Sequence, residues 1–158
     1  MTRHEWKEVK LGELIELKYG KGLPQRDRLE GDVPVYGSAG VVDSHNESIV
    51  KAPGLIVGRK GNVGSVFFSK KDFFPIDTVF YIEENPKKYD IKFIYYLLKN
   101  SRLLELDQDA AVPGLNRTTA YLQKFCIPED TELQNKIAQL LFNYDDYIEI
   151  NSRRIYIL

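Results

Sequence analysis

Apolar residues recur along this chain with two different periods, and the change of period marks its elements. From Val33 to Glu83 they come in short runs rich in β-branched and aromatic residues, bounded by Gly, Pro or Asn: Val33–Gly37 (VPVYG), the GVV after Ala39, Gly54–Gly58 (GLIVG), Ser65–Ser69 (SVFFS) and Asp77–Glu83 (DTVFYIE). Runs of this length and composition predict strands, and the brief gaps between them predict a sheet with short connections. On either side the apolar positions recur at steps of three and four. Leu11, Leu14 and Ile15 share one face of a short predicted helix from Val9 to Leu17, stopped by Gly20 and Gly22. After Pro86 a second helix is predicted over Lys88–Leu106. It carries Ile91, Ile94, Tyr95 and Leu98 and, past a polar break at Asn100 to Arg102, Leu103 and Leu106, a face suited to covering the sheet. A loop containing Pro113 and Gly114 then leads to a last predicted strand, Lys124–Ile127.

The pattern is sharpest at the end of the chain. Thr131 stands three residues before Gln134, the spacing of a capping box, and opens a helix-compatible run to Leu158. Within it Ile137, Leu141, Tyr144, Ile148, Asn151, Ile155 and Leu158 follow alternating steps of four and three, a heptad seam with one polar position. Such a helix extends about 40 Å, more than a domain of this size covers, so its seam calls for a partner helix. The other reading is an ordinary amphipathic helix folded back on its own domain. Asn151 favours the partner, because a lone polar residue in an apolar seam fixes helix register. The expected fold class is therefore α/β, in the mixed α+β sense: a unit over 1–129 with a short-strand sheet, followed over 130–158 by a long helix of coiled-coil type.

Composition narrows the function classes. With 158 residues, 43% of them hydrophobic, ten Tyr and eight Phe, the chain is globular and large enough for one proper core. No apolar run approaches the ~20 residues that span a bilayer, and the opening MTRHEWKEVK has no apolar leader segment. The single cysteine, Cys126, forms no intramolecular disulfide and supplies no Cys-based zinc site, so a reducing cytoplasm is expected. The net charge of −1 conceals an asymmetry. Lys51 to Lys71 holds five cations and no acid, whereas Glu129 to Leu158 holds six acids against Lys136, Arg153 and Arg154. A second basic loop, KYGKGLPQRDR, sets Lys18, Lys21, Arg26 and Arg28 against Asp27 alone. One such cluster reads as a solvated surface; two together weaken that reading.

The stretch GRKGNVG joins two of the predicted strands. Its glycines, at 58, 61 and 64, match neither the phosphate loop GxxxxGK[ST] nor the dinucleotide fingerprint GxGxxG, and no helix follows. A hairpin turn is expected instead, with Gly61 and Asn62 in left-handed conformations and Arg59 and Lys60 pointing outward. Cations on a hairpin tip can enter a DNA groove, where an arginine bonds guanine in bidentate fashion and a lysine neutralises phosphate. A turn that is Gly-rich for geometry alone is the competing account. An enzyme reading also exists: Asp77 in PID, with Asp90 and Lys92 in DIK, loosely matches the two acids and lysine of metal-dependent nucleases. Asp90 equally reads as the N-terminal cap of the helix beginning there. His4 and His45 lie far apart without a matching acid cluster, and no adenine-methyltransferase motif of the Asn/Asp-Pro-Pro-Tyr/Phe kind or helicase phosphate loop is present.

Taken in order, the segments EWKEVKLGEL, VPVYGSAGVV, LIVGRKGNVGSVFF, FFPIDTVFYI, KFIYYLLK, AVPGLNRTTAYL and CIPEDTELQNKIAQLL leading to DDYIEINSRRI resemble one half of a type I restriction-modification specificity subunit. The resemblance covers nearly the whole chain: one target-recognition domain and the start of its spacer helix. Two departures stand out. Glu129 and Asp130 follow Pro128 where the family often has a further proline, and a complete subunit carries two recognition domains and two long helices.

The resemblance implies a non-catalytic module that reads double-stranded DNA for a methyltransferase subunit, which uses S-adenosylmethionine, and for a separate restriction subunit, so that S-adenosylmethionine, ATP and Mg belong to the partners and no cofactor to this chain. A single recognition domain would dimerise through its helix, from Ile137 to Leu158, and read a two-part site with inverted halves, or pair with a second half-subunit. For the DNA face the expected residues are Lys21, Arg26, Ser38, Arg59, Lys60, Asn62, Lys70 and Arg117. Arg59, Asn62 and Ser38 sit on glycine-flanked loops suited to base edges; Lys21, Lys60 and Lys70 suit phosphate. Arg117 lies in PGLNR, a motif shared by members that read different sequences, and so suits the fold or a backbone contact. A scaffold module that touches no DNA is the remaining alternative.

Overall fold

The computed structural model describes residues 5–101, 103 and 114–155. Its central element is the strand β5, Gly54–Gly58, in which every residue is buried. Because side chains alternate across a strand, Leu55 and Val57 enter the larger of two apolar clusters while Ile56 enters the smaller. A strand covered on both faces has no solvent side, which is why GLIVG is apolar throughout. It pairs antiparallel with β6, Val66–Ser69, and with β8, Val79–Glu83, and the short β2, Lys18–Tyr19, pairs with the outer side of β8. The registers Leu55↔Phe68 and Leu55↔Ile82 carry one face of this sheet to the large cluster, and Ile56↔Phe67 and Ile56↔Tyr81 carry the other to the small one.

The small cluster, Val50, Ile56, Phe73 and Val79 with Tyr36, Phe67 and Tyr81 against it, joins this sheet to a second one. The second sheet orders β4, Gly40–His45, then β3, Val33–Gly37, then β7, Phe74–Pro75, with β3 and β7 parallel. The loop before β3 is fastened to β4 by Arg28, whose Nη1 bonds Asp43 at 2.8 Å while Nε and Nη2 donate to the Leu23 carbonyl. His45 Nδ1 accepts from the Leu29 amide at 3.0 Å.

The first predicted helix is shorter than expected. Val9 and Lys10 lie in a strand, β1 (Trp6–Lys10), and only Leu11–Leu14 is helical, as α1. The partner of β1 is β9, Lys124–Pro128, in antiparallel register Val9↔Phe125. A pairing so remote in sequence leaves no trace in the local apolar period. The second helix, α2, spans Ile91–Lys99 rather than Lys88–Leu106. Its start is set by Asp90, whose Oδ1 accepts from the Phe93 amide at 2.8 Å, and by Tyr89, which is buried with its hydroxyl donating to the Glu83 carbonyl. Burial pushes that hydroxyl up to about 12, so it stays a donor. The polar residues from Asn100 end the helix; Leu103 is nonetheless buried, and Leu106 lies outside the described residues.

After α3, Arg117–Tyr121, and β9 comes α4, Thr131–Ile155. The expected Thr131 and Gln134 capping box is not what starts it. Asp130 Oδ1 accepts from the Glu132 amide at 2.9 Å, one position earlier, and the buried Gln134 donates to the Pro128 carbonyl at 2.9 Å. Ala138 is buried, and Phe142 packs against Phe68, Tyr95 and Tyr96 with ring centroids 5.2 to 6.0 Å apart. Tyr96 then donates to Asp145 at 2.8 Å; burial, with that carboxylate, raises its pKa. From Asp146 to Ile155 every residue is exposed.

Two expectations follow for stability. The Arg28 guanidinium, aided by the Ser44 amide, holds the Asp43 carboxyl below its ordinary 3.8. A carboxylate with a depressed folded pKa contributes stability that is present above the unfolded value and lost as pH falls through the folded one. Asp43→Asn should therefore lower the urea midpoint slightly near neutral pH, and the deficit should shrink as pH falls from the ordinary carboxylate range through the lowered pKa of Asp43. At the end of β5, a Cβ on Gly58 would lie 2.0 Å from the Asn62 carbonyl oxygen and 2.4 Å from Ser65 Oγ. Gly58→Ala should cost about 1–3 kcal/mol, read as a lower urea midpoint at unchanged m-value.

Candidate nucleic-acid interface

The β5–β6 connection is a hairpin tip closed by its own backbone. Gly58 donates to the Ser65 carbonyl at 2.8 Å, and Gly64 donates back to the Gly58 carbonyl at 2.8 Å. Gly61 and Gly64 take positive φ, 77° and 72°, where a Cβ is strained. Asn62, expected to share that conformation with Gly61, does not; among the described residues only glycines have positive φ.

The tip is braced from two sides. The turn between β3 and β4 brings Ser38 Oγ to accept from the Asn62 amide at 3.3 Å, and the Ser38 carbonyl accepts from Ser65 Oγ at 2.6 Å. From the other side residues 114–117 lie along the strand end, with the Leu115 amide donating to the Arg59 carbonyl at 2.8 Å and Lys60 bridged to Gly114. The asparagine of that segment has a local task, since Asn116 Oδ1 caps α3 by accepting from the Thr118 and Thr119 amides at 2.9 and 3.2 Å.

Lys60 and Asn62 are exposed at this tip, as expected, but Arg59 does not point outward. Its Nη2 donates to the Asp77 carbonyl at 2.6 Å, its Nε is buried without a hydrogen-bond partner, and its Cζ stands 5.3 Å from the Tyr19 ring centroid and 5.8 Å from that of Phe80. The carbonyl and the electron-rich ring faces hold the guanidinium against the domain. Arg117 reaches the same ring, with Cζ 4.9 Å from the Tyr19 centroid. Tyr19, Arg59, Lys60, Asn116, Arg117 and Thr118 thus line a common cleft of about 330 Å³.

Lys21 borders this region: its amide donates to the Pro75 carbonyl at 3.0 Å, at the end of β7 and two residues before Asp77. Arg26 and Lys70 stand apart. Arg26 is exposed on a single turn, Gln25–Asp27, with Asp27 3.7 Å away. Lys70 follows the far end of β6, with its ammonium 5.9 Å from the Phe142 ring beside α4. Three other cations of the basic loops are paired within the chain, Lys18 with Glu83, Arg28 with Asp43 and Lys51 with Asp72. Tyr19 is the functional candidate that sequence reasoning passed over; an aromatic residue among the lysines of KYGKG was the available signal.

The nuclease reading finds no support in the geometry. Asp77 precedes β8 and Asp90 follows it, Asp90 is engaged in capping α2 and in accepting from Asn135 at 2.8 Å, and Lys92 lies over the Phe142 ring. Among the described residues no three His, Cys, Asp or Glu side chains gather as a metal site. Nor is any described helix long and apolar enough to cross a membrane.

Comparison with known proteins accords with this geometry. No curated protein matches the chain. Among solved structures, the type I restriction-modification S subunit from M. genitalium is 20% identical, with a TM-score of 0.85 over 99% of this chain and 43% of that one. The HsdS subunit from Thermoanaerobacter tengcongensis is 17% identical, with a TM-score of 0.66 over 98% of this chain and 40% of that one. A chain from a study of complex assembly and conformational transition in a type I system is 16% identical, with a TM-score of 0.73 over 94% of this chain and 40% of that one. The fold is therefore the one expected, and the chain spans about two fifths of the length of each. The family model described as the type I restriction modification DNA specificity domain matches residues 3–157, so the chain belongs to that family.

Proposed function

We propose that this chain recognises a DNA sequence on behalf of a type I restriction-modification system, directing methyltransferase and restriction subunits to a bipartite site in the cytoplasm while carrying no catalytic residue itself. The observation that carries the reading is the convergence of Lys60, Asn62, Arg59 and Arg117 on one braced tip, in a chain whose family is a DNA specificity domain. Residues 1–129 form the recognition unit in this account. Asn62 and Ser38 are assigned to base edges, and Lys60 and Lys21 to phosphate; Arg26 and Lys70, away from the tip, are assigned no base contact. S-adenosylmethionine, ATP and Mg act on the partner subunits.

Residues 130–158 form the spacer and dimerisation helix. Tyr144, Ile148 and Ile155 are 60, 63 and 72% exposed, and Asn151 is exposed with them, whereas Ile137 packs against the large cluster and Leu141 lies at the margin. Leu158 lies outside the described residues. An apolar seam that leaves its own domain in this way favours a second helix, from another copy or from another half-subunit, over the folded-back alternative.

Methylation-sensitive sequencing of DNA from cells carrying the methyltransferase subunit, with and without the full-length chain, tests the first proposal. Methyladenine at an interrupted motif should appear only with the chain, and Asn62→Ala should alter or abolish that motif. Absence of any new methylation although the proteins co-purify would leave the scaffold alternative. For the helix, sedimentation of the full-length chain should show a dimer that Ile148→Asp with Ile155→Asp converts to monomer; an unchanged sedimentation profile would overturn the seam.

A further inference from the structure

We propose that Tyr19 is a positioning residue that holds Arg59 and Arg117 as a two-guanidinium clamp on a single backbone phosphate of the duplex, an inference that rests on the DNA-recognition reading. Tyr19 lies on the outermost strand of its sheet, tilted against Phe80 at 4.9 Å between centroids and 51% exposed. Both guanidiniums stand about one ring's reach from it, at 5.3 and 4.9 Å. Two like charges around one ring repel each other; the electron-rich face offsets part of that repulsion, and an anion between them would offset more.

Three features point to phosphate rather than a base edge. Bidentate recognition of guanine needs a free edge of two guanidinium nitrogens. In Arg59 the Nε is buried and Nη2 already donates to the Asp77 carbonyl, so the edge they share is closed and the end edge, Nη1 with Nη2, includes a nitrogen that is already engaged. The backbone of Arg59 is itself fixed, its amide donating to the Thr78 carbonyl at 3.0 Å and its carbonyl accepting from the Leu115 amide, so the side chain has little freedom to turn out. The cleft is also rich in cationic donors: Lys60 and both arginines line it, while the side-chain amide oxygen among its lining residues, Asn116 Oδ1, is engaged in capping α3. Base edges display acceptors and donors together, whereas a phosphodiester displays acceptors alone. A shared clamp on phosphate also explains how Arg117 can belong to a segment that need not vary with the sequence read.

The test uses the full-length chain in complex with its methyltransferase subunit, titrated onto a fluorescein-labelled duplex across a salt series and read by anisotropy, with the methylated motif sequenced in parallel. Each phosphate contact contributes about 0.9 to the slope of log K against log salt. Tyr19→Ala and Arg117→Gln should each reduce the slope by about one, combine less than additively and leave the motif unchanged, while Tyr19→Phe should restore the wild-type slope. A merely structural role for the ring would weaken binding without moving the slope. Retention of the slope in Tyr19→Ala would overturn the clamp and leave DNA recognition standing, as would a changed motif, which would put these residues on bases. If Tyr19→Ala fails to fold, as thermal unfolding would reveal, Arg117→Gln carries the same test. A wild-type complex that binds no duplex would overturn both the clamp and the recognition reading beneath it.

Discussion

The structure depends on a strand that has no outside. With β5 covered on both faces, the two apolar clusters share one wall, and whatever displaces Leu55 or Ile56 disturbs both at once. Burial of a large aliphatic side chain contributes about 1.5–3 kcal/mol, and β5 concentrates three such residues within five positions. The same strand ends in the tip that bears Arg59 and Lys60. Its root is thus anchored in the most buried part of the molecule while its end reaches the surface, an arrangement in which a surface loop inherits the precision of a core.

That inheritance explains the form of the candidate site. The tip is held by glycines that allow its backbone to close, by Ser38 from the neighbouring turn and by residues 114–117 from much later in the chain. Three segments remote in sequence meet there. Exposed lysines on flexible loops would attract DNA without discriminating among sequences, because phosphate contacts position and base contacts specify. A tip whose cations are partly fixed, with Arg59 pinned by a carbonyl and two rings, suits the proposed function, in which Asn62 and Ser38 are the residues assigned to bases.

α4 plays the opposite part. Its first turns belong to the domain through Gln134, Ala138 and Phe142, and the Tyr96 to Asp145 bond marks the last grip of the core on it. Beyond that point the apolar side chains of the heptad positions meet solvent. The helix is therefore a component of the fold over its first turns and an exposed stripe of apolar residues beyond them, and its direction relative to the tip is set by how α2 packs against it.

Much of this was legible from residue order alone. β5, with neighbours on both sides, was plain because an unbroken apolar run between glycines has few other uses, and α4 was plain because a repeat of three and four over so many turns is hard to produce by chance. What the chain could not reveal locally was any choice settled by a distant partner. Val9 and Lys10 follow a helical period yet form a strand because Lys124–Pro128 supplies its hydrogen bonds. Thr131 has the right spacing for a cap, but Gln134 was drawn to the Pro128 carbonyl and Asp130 took the role. The basic loops were visible as charge; that Lys18, Arg28 and Lys51 would be neutralised within the chain, that Lys70 would lie by Phe142, and that Tyr19 would gather Arg59 and Arg117 were not. Residue order was enough to settle which segments could be strands, helices and turns, because propensity and periodicity act over a few residues. Which cations keep a free head was settled on folding, because that depends on carbonyls, carboxylates and rings brought near from elsewhere in the chain.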